Sequence, residues 1–433
     1  MDRFTRTLTT TTLATYLLVV LGAMTATTDS VGPAAFGHYA AAGAVWLLVV
    51  LTAVFAWQDH HDRWVRMGVL TAVVLYPVQA LLGVAGILGL PMHSGVHLFV
   101  GVVVFALLLI SLVRHLDCDV RSESTTDSAT LVRDNGNSGE QSSWLPESVR
   151  AYLELTKPRL MWLLALLALA GMSLATVTGA TLDGATVAAT IFGGVLAIGS
   201  AGTFNHVYER DRDRRMDRTA DRPIATESVG PRRATLFGVV LFGLSMATLL
   251  IVVNVLTAVL TTIAVVYYSV VYTIVLKPTT TWNTVIGGGA GALPAVIGWT
   301  AVTGSIGLPA VLLAAVVFCW TPAHFYNLAI AYRDDYARAG YPMLSVVEGV
   351  DTTRKRILYW LGGTLLVAGA LGVVAGFGPV YAFTSAIVGL AFVWTVVTQF
   401  RTGTDLAAYR SFHASNAYLG ALLGAILVET LLL

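Results

Sequence analysis

Apolar residues in this chain are gathered into blocks of about 20, the length at which a helix crosses the ~30 Å hydrocarbon core of a bilayer. Of the 433 residues, 56% are hydrophobic and 12% are charged, whereas about 25% are charged in a soluble domain. The sequence also lacks the short alternating strands of an outer-membrane barrel. It therefore predicts an all-α polytopic membrane protein.

Thirteen spans are predicted. The first four lie near 11–27, 39–57, 67–88 and 97–113, and the other nine lie near 160–179, 184–204, 235–252, 255–276, 282–302, 308–332, 357–376, 379–399 and 413–433. Threading them from a cytoplasmic N-terminus puts all 26 Lys and Arg residues on the cytoplasmic side or at its helix ends. We expect a multi-pass protein of the cell membrane, with its C-terminus outside.

A polar stretch divides the chain in two. Residues 117–147 are rich in Ser, Thr, Asp, Asn and Gly and have no apolar periodicity, which predicts a disordered linker. A four-helix transmembrane domain (1–116) and a nine-helix domain (148–433) lie on either side.

The net charge of +1 gives no bulk attraction to nucleic acid. The two cysteines, Cys118 and Cys319, share no motif spacing that indicates a disulfide or zinc site.

The polar segment 205–223 follows the second span of the large domain. Asn205, Glu209 and Asp213 are spaced by four and would share one helix face. Mg²⁺ takes a few protein oxygens of this kind and keeps positions for water and phosphate. The neighbouring stripe, suited to gripping a diphosphate, consists of Arg210, Arg214, Arg218 and Arg222. The alternative is a solvated helix held by Glu–Arg pairs.

A second polar cluster, 333–340, faces the same compartment and contains Asp334 and Asp335. Two acidic segments on one side could hold two Mg²⁺ ions around one diphosphate, although a simple acidic loop remains open. Within the span before it, Pro322 breaks a backbone hydrogen bond, and His324 and Asn327 are costly in lipid, so this segment should face a cavity. A structural kink with a satisfied histidine is the alternative. The glycine-rich run 286–292 predicts close helix packing.

Residues 150–433 contain several motifs of one known family, and the motifs occur in the same order as in that family. They are the segments 155–159, 205–223, 320–325 and 334–344, with Tyr272, Lys277, Asn283, Gly298 and Trp299 between them. With these motifs the segment resembles the UbiA superfamily of intramembrane prenyltransferases, and within it the protoheme IX farnesyltransferase (haem O synthase) family. Two positions depart from the pattern: Glu209 stands where many relatives have Asp, and Arg212 where the superfamily prefers an apolar residue.

The resemblance implies a nine-helix UbiA-type prenyltransferase bundle and a Mg²⁺-dependent reaction. Farnesyl diphosphate would lose pyrophosphate, a vinyl group of haem b (protohaem IX) would attack the farnesyl cation, and water would complete haem O. By resemblance the metal ligands are Asn205, Glu209, Asp213 and Asp334 or Asp335. The diphosphate would be held by Arg218, Arg222, Lys277 and Arg333, and the porphyrin or its propionates would be contacted by His324.

The four-helix domain carries His38 and His97 near the outer ends of its second and fourth helices. Two imidazoles at matched depth could ligate one haem iron. The alternative is two interface histidines, and His93 is a nearby competitor. The segments 78–91 and 95–98 resemble one half of haem A synthase, which implies haem binding. That family has two such halves, whereas this chain has one.

The leading hypothesis is therefore haem O synthesis, with farnesyl diphosphate, haem b and the lipid bilayer as partners. A haem A synthase or terminal oxidase assembly factors are further partners that the hypothesis suggests. Another UbiA-type transferase, acting on a quinone precursor or a lipid, remains open. A haem-carrying membrane protein or transporter is the alternative outside enzymes, although transporters place coupling charges near the midplane, often in repeated halves.

Overall fold

The computed structural model describes residues 3–25, 33–58, 61–87, 94–123 and 146–432. All regular structure in these ranges is helical. Twelve of the described helices are long and apolar enough to cross a membrane. The predicted all-α polytopic fold is confirmed.

Four helices precede the gap at 124–145: α1 (Arg3–Thr25), α2 (Pro33–Gln58), α3 (Arg63–Ile87) and α4 (Ser94–Glu123). Helix α1, with 23 residues, is the one predicted span that is not among the twelve counted in the described residues. Helix α4 continues to Glu123, into the predicted linker. Residues 124–145 of that linker, and His93, lie outside the described residues.

The remaining chain supplies nine of the twelve candidate spans. Its elements are α5 (Glu147–Leu155), α6 (Pro158–Leu174), a 3₁₀ turn (Ala175–Thr178), α7 (Gly184–Asp213), α8 (Pro231–Val252), α9 (Val255–Val266), a π-helix (Tyr267–Leu276), α10 (Lys277–Thr279), α11 (Asn283–Thr303), α12 (Leu308–Ala331), α13 (Arg333–Arg338), α14 (Leu344–Val347), α15 (Val350–Ala375), α16 (Pro379–Thr402) and α17 (Asp405–Leu431). Helix α9, the π-helix and α10 run on as one span.

The described residues form two compact units. One takes in residues 1–128 and 354–425, and the other takes in 129–353 and 426–433. In the first unit α1 and α4 pack against α16, and the Tyr16 hydroxyl lies 3.1 Å from Ser385 Oγ. The last three helices therefore group largely with the N-terminal four. The division at a flexible linker over 117–147 stays a prediction.

Within the second unit, α11 packs against α6 and α12, and α7 packs against α8. Glycines let α6 and α11 approach closely at two levels. A Cβ at Gly298 would overlap the carbonyl oxygen of Ala168, and one at Gly171 would overlap that of Ala295. Such small-residue crossings replace the hydrophobic effect as the basis of helix association in lipid.

The glycine-rich run 286–292 confirms its predicted role in packing. A Cβ at Gly287 would overlap the ring of Tyr272 on the π-helix, and one at Gly288 would lie 3.1 Å from Thr321 on α12. Helix α7 begins with Asp183 as its N-cap, whose carboxylate accepts a hydrogen bond of 2.8 Å from the Thr186 backbone N–H. These contacts fix the helices that carry the polar residues.

We expect Gly298→Ala to destabilise the protein by about 1–3 kcal/mol, because the added methyl group forces two backbones apart. Gly194→Ala is the matched control, since a Cβ there meets nothing within 4 Å; its better helix propensity should stabilise by up to about 1 kcal/mol. Thermal unfolding of both variants in detergent checks this. Equal melting temperatures would contradict the close crossing.

Candidate active site

The cytoplasmic-side end of α7, as the sequence predicts it, carries three oxygen-bearing side chains on one face. Asn205, Glu209 and Asp213 are 1%, 4% and 2% exposed. Asp211, on another face of the same helix, has a side chain that is 68% exposed. A solvated helix would expose the first three side chains as well, so their burial favours a site over that alternative.

Each of these three side chains contacts a cation. Lys277 Nζ lies 2.5 Å from Glu209 Oε1, and Arg222 Nη1 lies 2.9 and 2.8 Å from the two carboxylate oxygens of Asp213. Lys157 Nζ donates to Asn205 Oδ1. We call these side chains the polar cluster: Lys157, Asn205, Glu209, Asp213, Arg222 and Lys277. A buried charge without such a partner is strongly destabilising.

The α5–α6 junction places Lys157 in the polar cluster. Its backbone has φ 56°, a left-handed conformation that is uncommon for a residue with a Cβ. Gly202 of α7 faces this junction, and a Cβ there would lie 3.1 Å from the Leu155 carbonyl oxygen. The glycine therefore lets the chain pass close to α7, one turn before Asn205.

The π-helix supplies the opposite wall. Its Thr273 Oγ1 accepts a hydrogen bond of 3.0 Å from Asn205 Nδ2 and donates one of 2.9 Å to the Tyr268 carbonyl, five residues back. The Tyr268 hydroxyl lies 3.2 Å from Lys157 Nζ. Lys277 follows the π-helix directly. π-Helical turns are rare and are frequent at functional sites.

The segment after α7 folds back and returns Arg222 to Asp213. Thr219 Oγ1 donates to the Asp213 carbonyl at 3.0 Å, and Arg214 Nε donates to the Ala225 carbonyl at 2.8 Å. Ile224 is buried against Leu155 of α5. A guanidinium nine residues from its carboxylate is thereby held in place.

The two predicted acidic segments meet through Asp335. Its carboxylate accepts hydrogen bonds of 3.4 Å from the backbone N–H groups of Asp217 and Arg218 and pairs with Arg338. Asp335 is buried. Asp334 and Arg333 instead pair with each other at 3.4 Å, with side chains 66% and 50% exposed. The structure therefore brings Asp335 to the first segment and leaves its two neighbours at the surface.

Tyrosine rings line the site around these cations. Lys277 Nζ lies 4.5 Å and the Arg212 guanidinium 5.0 Å from the centre of the Tyr341 ring. Arg218 lies over the ring of Tyr332 at 5.1 Å and donates to the Tyr336 hydroxyl at 3.3 Å. Burial raises the pKa of Tyr341 to about 12, so the phenol is neutral and binds cations through its ring face.

His324 lies on α12, where Pro322 interrupts the helix interior. Its ring stacks on Trp320, with centroids 4.3 Å apart and planes 14° apart. Both side chains are buried. The stacking holds the His324 ring against Trp320, and the predicted porphyrin contact of His324 stays a prediction.

The N-terminal helices bring His38 and His97 near enough for their charges to interact. His97 Nδ1 lies 2.8 Å from the Gln79 carbonyl oxygen. If Nδ1 carries the proton and donates to this oxygen, Nε2 is left for a ligand. A Cβ at Gly22 would lie 2.7 Å from the His38 ring, and one at Gly83 would lie 3.0 Å from the His97 ring. Among the described residues, His38 Nδ1 has no hydrogen-bond partner.

Sequence reasoning missed Lys157, Tyr268 and Thr273 as site residues. The signal that was present is composition: Lys157 and Lys277 are two of only three lysines in the chain, and each precedes a proline.

Among the described residues, no group of three or more His, Cys, Asp or Glu side chains is arranged to hold a metal ion. The candidate donor set has two carboxylates and one amide.

Glu209 and Lys277 form a buried pair, which a double-mutant cycle can test. Glu209→Gln or Lys277→Met alone should destabilise by about 3–5 kcal/mol, because each leaves one buried charge without a partner. The double variant should lose less than the sum, since no charge is left alone. Denaturant unfolding in detergent gives the values. The surface pair of Arg333 and Asp334 is the control and should contribute about 0–1 kcal/mol. Strictly additive losses would contradict the pairing.

Known proteins share this sequence and fold. The UbiA prenyltransferase family matches residues 164–419. Protoheme IX farnesyltransferase 2 of Natronomonas pharaonis is 68% identical over 100% of both chains. A protoheme IX farnesyltransferase of Haloarcula marismortui is 46% identical over 99% of each chain. The protoheme IX farnesyltransferase 1 of Saccharopolyspora erythraea is 43% identical and aligns 65% of this chain with 89% of its own.

Two solved structures share the fold. A digeranylgeranylglyceryl phosphate synthase matches with a TM-score of 0.56 at 14% identity, over 66% of this chain and 100% of its own. The apo UbiA homologue of Aeropyrum pernix matches with a TM-score of 0.53 at 17% identity, over 62% of this chain and 98% of its own. The family match spans more than half of the residues and a full-length relative is 68% identical, so the chain belongs to the UbiA prenyltransferase family.

Proposed function

We propose that this protein transfers a farnesyl group from farnesyl diphosphate to a vinyl group of haem b, with hydration, to give haem O. The observation that carries the proposal is the 68% identity, over the full length of both chains, to a protoheme IX farnesyltransferase. The buried polar cluster supports it, since the reaction needs a site that binds a metal and a diphosphate together.

The donor set suits Mg²⁺. Asn205, Glu209 and Asp213 offer oxygen atoms from one helix face, and all three are buried. Mg²⁺ is held by one or two carboxylates and leaves positions for water and substrate phosphates. When bound, the ion would neutralise charge that develops on the departing pyrophosphate. Asp335 is the candidate from the second segment, because it is buried whereas Asp334 is exposed.

The cations of the polar cluster suit the diphosphate. Lys157, Lys277 and Arg222 carry three positive charges against the two carboxylates of Glu209 and Asp213, a net charge of +1. A bound Mg²⁺ raises that excess to about +3, the charge that a fully ionised prenyl diphosphate neutralises. Lys277 and Arg222 are therefore the diphosphate-binding residues of the proposal, with Arg218 at the rim.

The reaction divides into steps that these residues serve. The bond from farnesyl C1 to the diphosphate oxygen breaks, and the cations hold the pyrophosphate that takes the electron pair. The vinyl π electrons form the new carbon–carbon bond. Water adds to the resulting porphyrin-side cation and loses a proton, which leaves the hydroxyl group. His324, whose ring stacks on Trp320, is the proposed contact to the porphyrin or its propionates.

The N-terminal domain is proposed to bind a second haem through His38 and His97. A histidine that ligates a metal usually donates its other ring N–H to a carbonyl or carboxylate, and the contact between His97 Nδ1 and the Gln79 carbonyl suits that arrangement. The His38 ring nitrogen without a described partner suits it as well.

We also propose a membrane orientation, with a cytoplasmic N-terminus and an outer C-terminus. It follows from the distribution of Lys and Arg residues.

The reaction is tested by expressing the full chain in a strain that lacks haem O and identifying the extracted haems by mass spectrometry. Haem O is the expected product. Detection of haem b alone, in cells whose membrane contains the folded protein, would reject haem b as the acceptor or farnesyl diphosphate as the donor.

We expect Asp213→Asn to lower the rate of Mg²⁺-dependent haem O formation by about 10²–10³-fold, the typical loss for one electrostatic group at a transition state. Asp211→Asn is the matched control, because it removes the same charge from the exposed side of the same helix and should leave the rate unchanged. Rates at limiting Mg²⁺ and melting temperatures are measured together. A fully active Asp213→Asn would remove this residue from the metal site.

The haem proposal predicts that the purified full chain shows a low-spin Soret and α band that His97→Ala removes. His413→Ala, which changes an exposed histidine of α17, should keep both bands. Absorption spectra after haem supplementation provide the measurement. A folded wild-type chain without these bands would sink the assignment of His38 and His97.

A further inference from the structure

His206 is a buried histidine to which the proposed reaction gives no role. It follows Asn205 on α7 and is 3% exposed. Neither of its ring nitrogens has a hydrogen-bond partner among the residues that the structure describes. A neutral imidazole carries one N–H donor and one acceptor nitrogen, and leaving both unpaired away from water is unfavourable. A binding partner for the ring would remove that penalty.

The helix register directs this ring toward the polar cluster. His206 precedes Glu209 by three residues and Asp213 by seven, so the three side chains lie on one face of α7. Lys157, Arg222 and Lys277 all interact electrostatically with the ring. These are the cations that contact Asn205, Asp213 and Glu209. The imidazole therefore lies among the groups proposed to bind metal and diphosphate.

The chemistry of the surroundings selects the partner. With three cations and two carboxylates, the polar cluster has an excess of positive charge, which favours an anion. Mg²⁺ prefers oxygen ligands, so the imidazole is unsuited to it. An N–H group among cations is complementary to a phosphate oxygen, and hydrogen bonds to charged acceptors are roughly twice as strong as neutral ones.

We propose that His206 binds the diphosphate of the allylic substrate, donating its ring N–H to a phosphate oxygen beside the metal-binding face of α7. The proposal rests on the proposed function in one respect, namely that this site receives a diphosphate. It adds a neutral donor to a set that the sequence predicts to consist only of charged residues.

The test measures binding of inorganic pyrophosphate with Mg²⁺ to the purified full chain by calorimetry in detergent, which requires neither haem nor turnover. His206→Phe keeps a ring and removes the N–H group, and should weaken binding by about 10- to 100-fold. His206→Asn and His206→Gln each place an amide N–H near one of the two ring nitrogens, and one of them should recover most of the affinity. His413→Phe is the control and should bind as the wild type does.

Melting temperatures of all variants separate binding from folding. A folded His206→Phe that binds pyrophosphate as tightly as the wild type overturns the proposal, also if its haem spectrum has changed. If His206→Phe does not fold, the amide variants decide: affinity retained in either one supports the proposal, and equal loss in both overturns it. A wild-type chain that does not bind Mg²⁺–pyrophosphate overturns the proposal together with the diphosphate site.

The two proposals fail differently. Pyrophosphate binding that depends on His206, in a chain that makes no haem O, rejects the acceptor and keeps the inference. Haem O formation with pyrophosphate binding that does not depend on His206 rejects the inference and keeps the function.

Discussion

Carboxylates cannot stay ionised away from water unless positive charge lies beside them, and the end of α7 depends on that constraint. Glu209 and Asp213 are buried. Glu209 contacts Lys277, 68 residues away in the sequence, and Asp213 contacts Arg222, nine residues away. The α5–α6 junction, the segment after α7 and α10 each supply one cation to the polar cluster. The same contacts that form the proposed site for a metal and an anion therefore also join separate segments of the second unit.

Those contacts have a consequence for ligand binding. Each side chain proposed to bind Mg²⁺ contacts an ammonium or guanidinium group through at least one oxygen. Binding of the proposed metal would therefore require an exchange of partners, in which the cations would pass from the carboxylates to the incoming phosphate oxygens. Metal and diphosphate favour each other's binding in such a site. The metal neutralises the carboxylates that the cations leave, and the diphosphate neutralises the cations.

The sequence predicted the helices and one face of the site because both depend on local patterns. Apolar blocks of membrane length predict spans, and the spacing of four between Asn205, Glu209 and Asp213 predicts a shared face. It could not identify Lys157 as the partner of Asn205, since 48 residues separate them. Adjacent acids such as Asp334 and Asp335 were equally good candidates in sequence, because only tertiary packing buries one of them.

The same limit applies to the first unit. The packing of α1 and α4 against α16 joins segments more than 250 residues apart, and hydropathy carries no information about which spans are neighbours. The low-complexity composition of residues 117–147 suggested two independent domains. The contact of α1 and α4 with α16 is a property that only the assembled fold reveals.

The π-helix places an unusual demand on the length of its span. Its hydrogen bonds span five residues instead of four. Tyr268 and Thr273 thereby reach Lys157 and Asn205, while Lys277 reaches Glu209. Removing a single residue between Tyr268 and Lys277 would rotate the lysine about the helix axis by the angle of one residue, which is about 100° in an α-helix. Apolar residues on the lipid-facing side of this segment are exchangeable, whereas their number is not. Substitutions between apolar residues should therefore be tolerated along this span, whereas insertion or deletion of one residue should not.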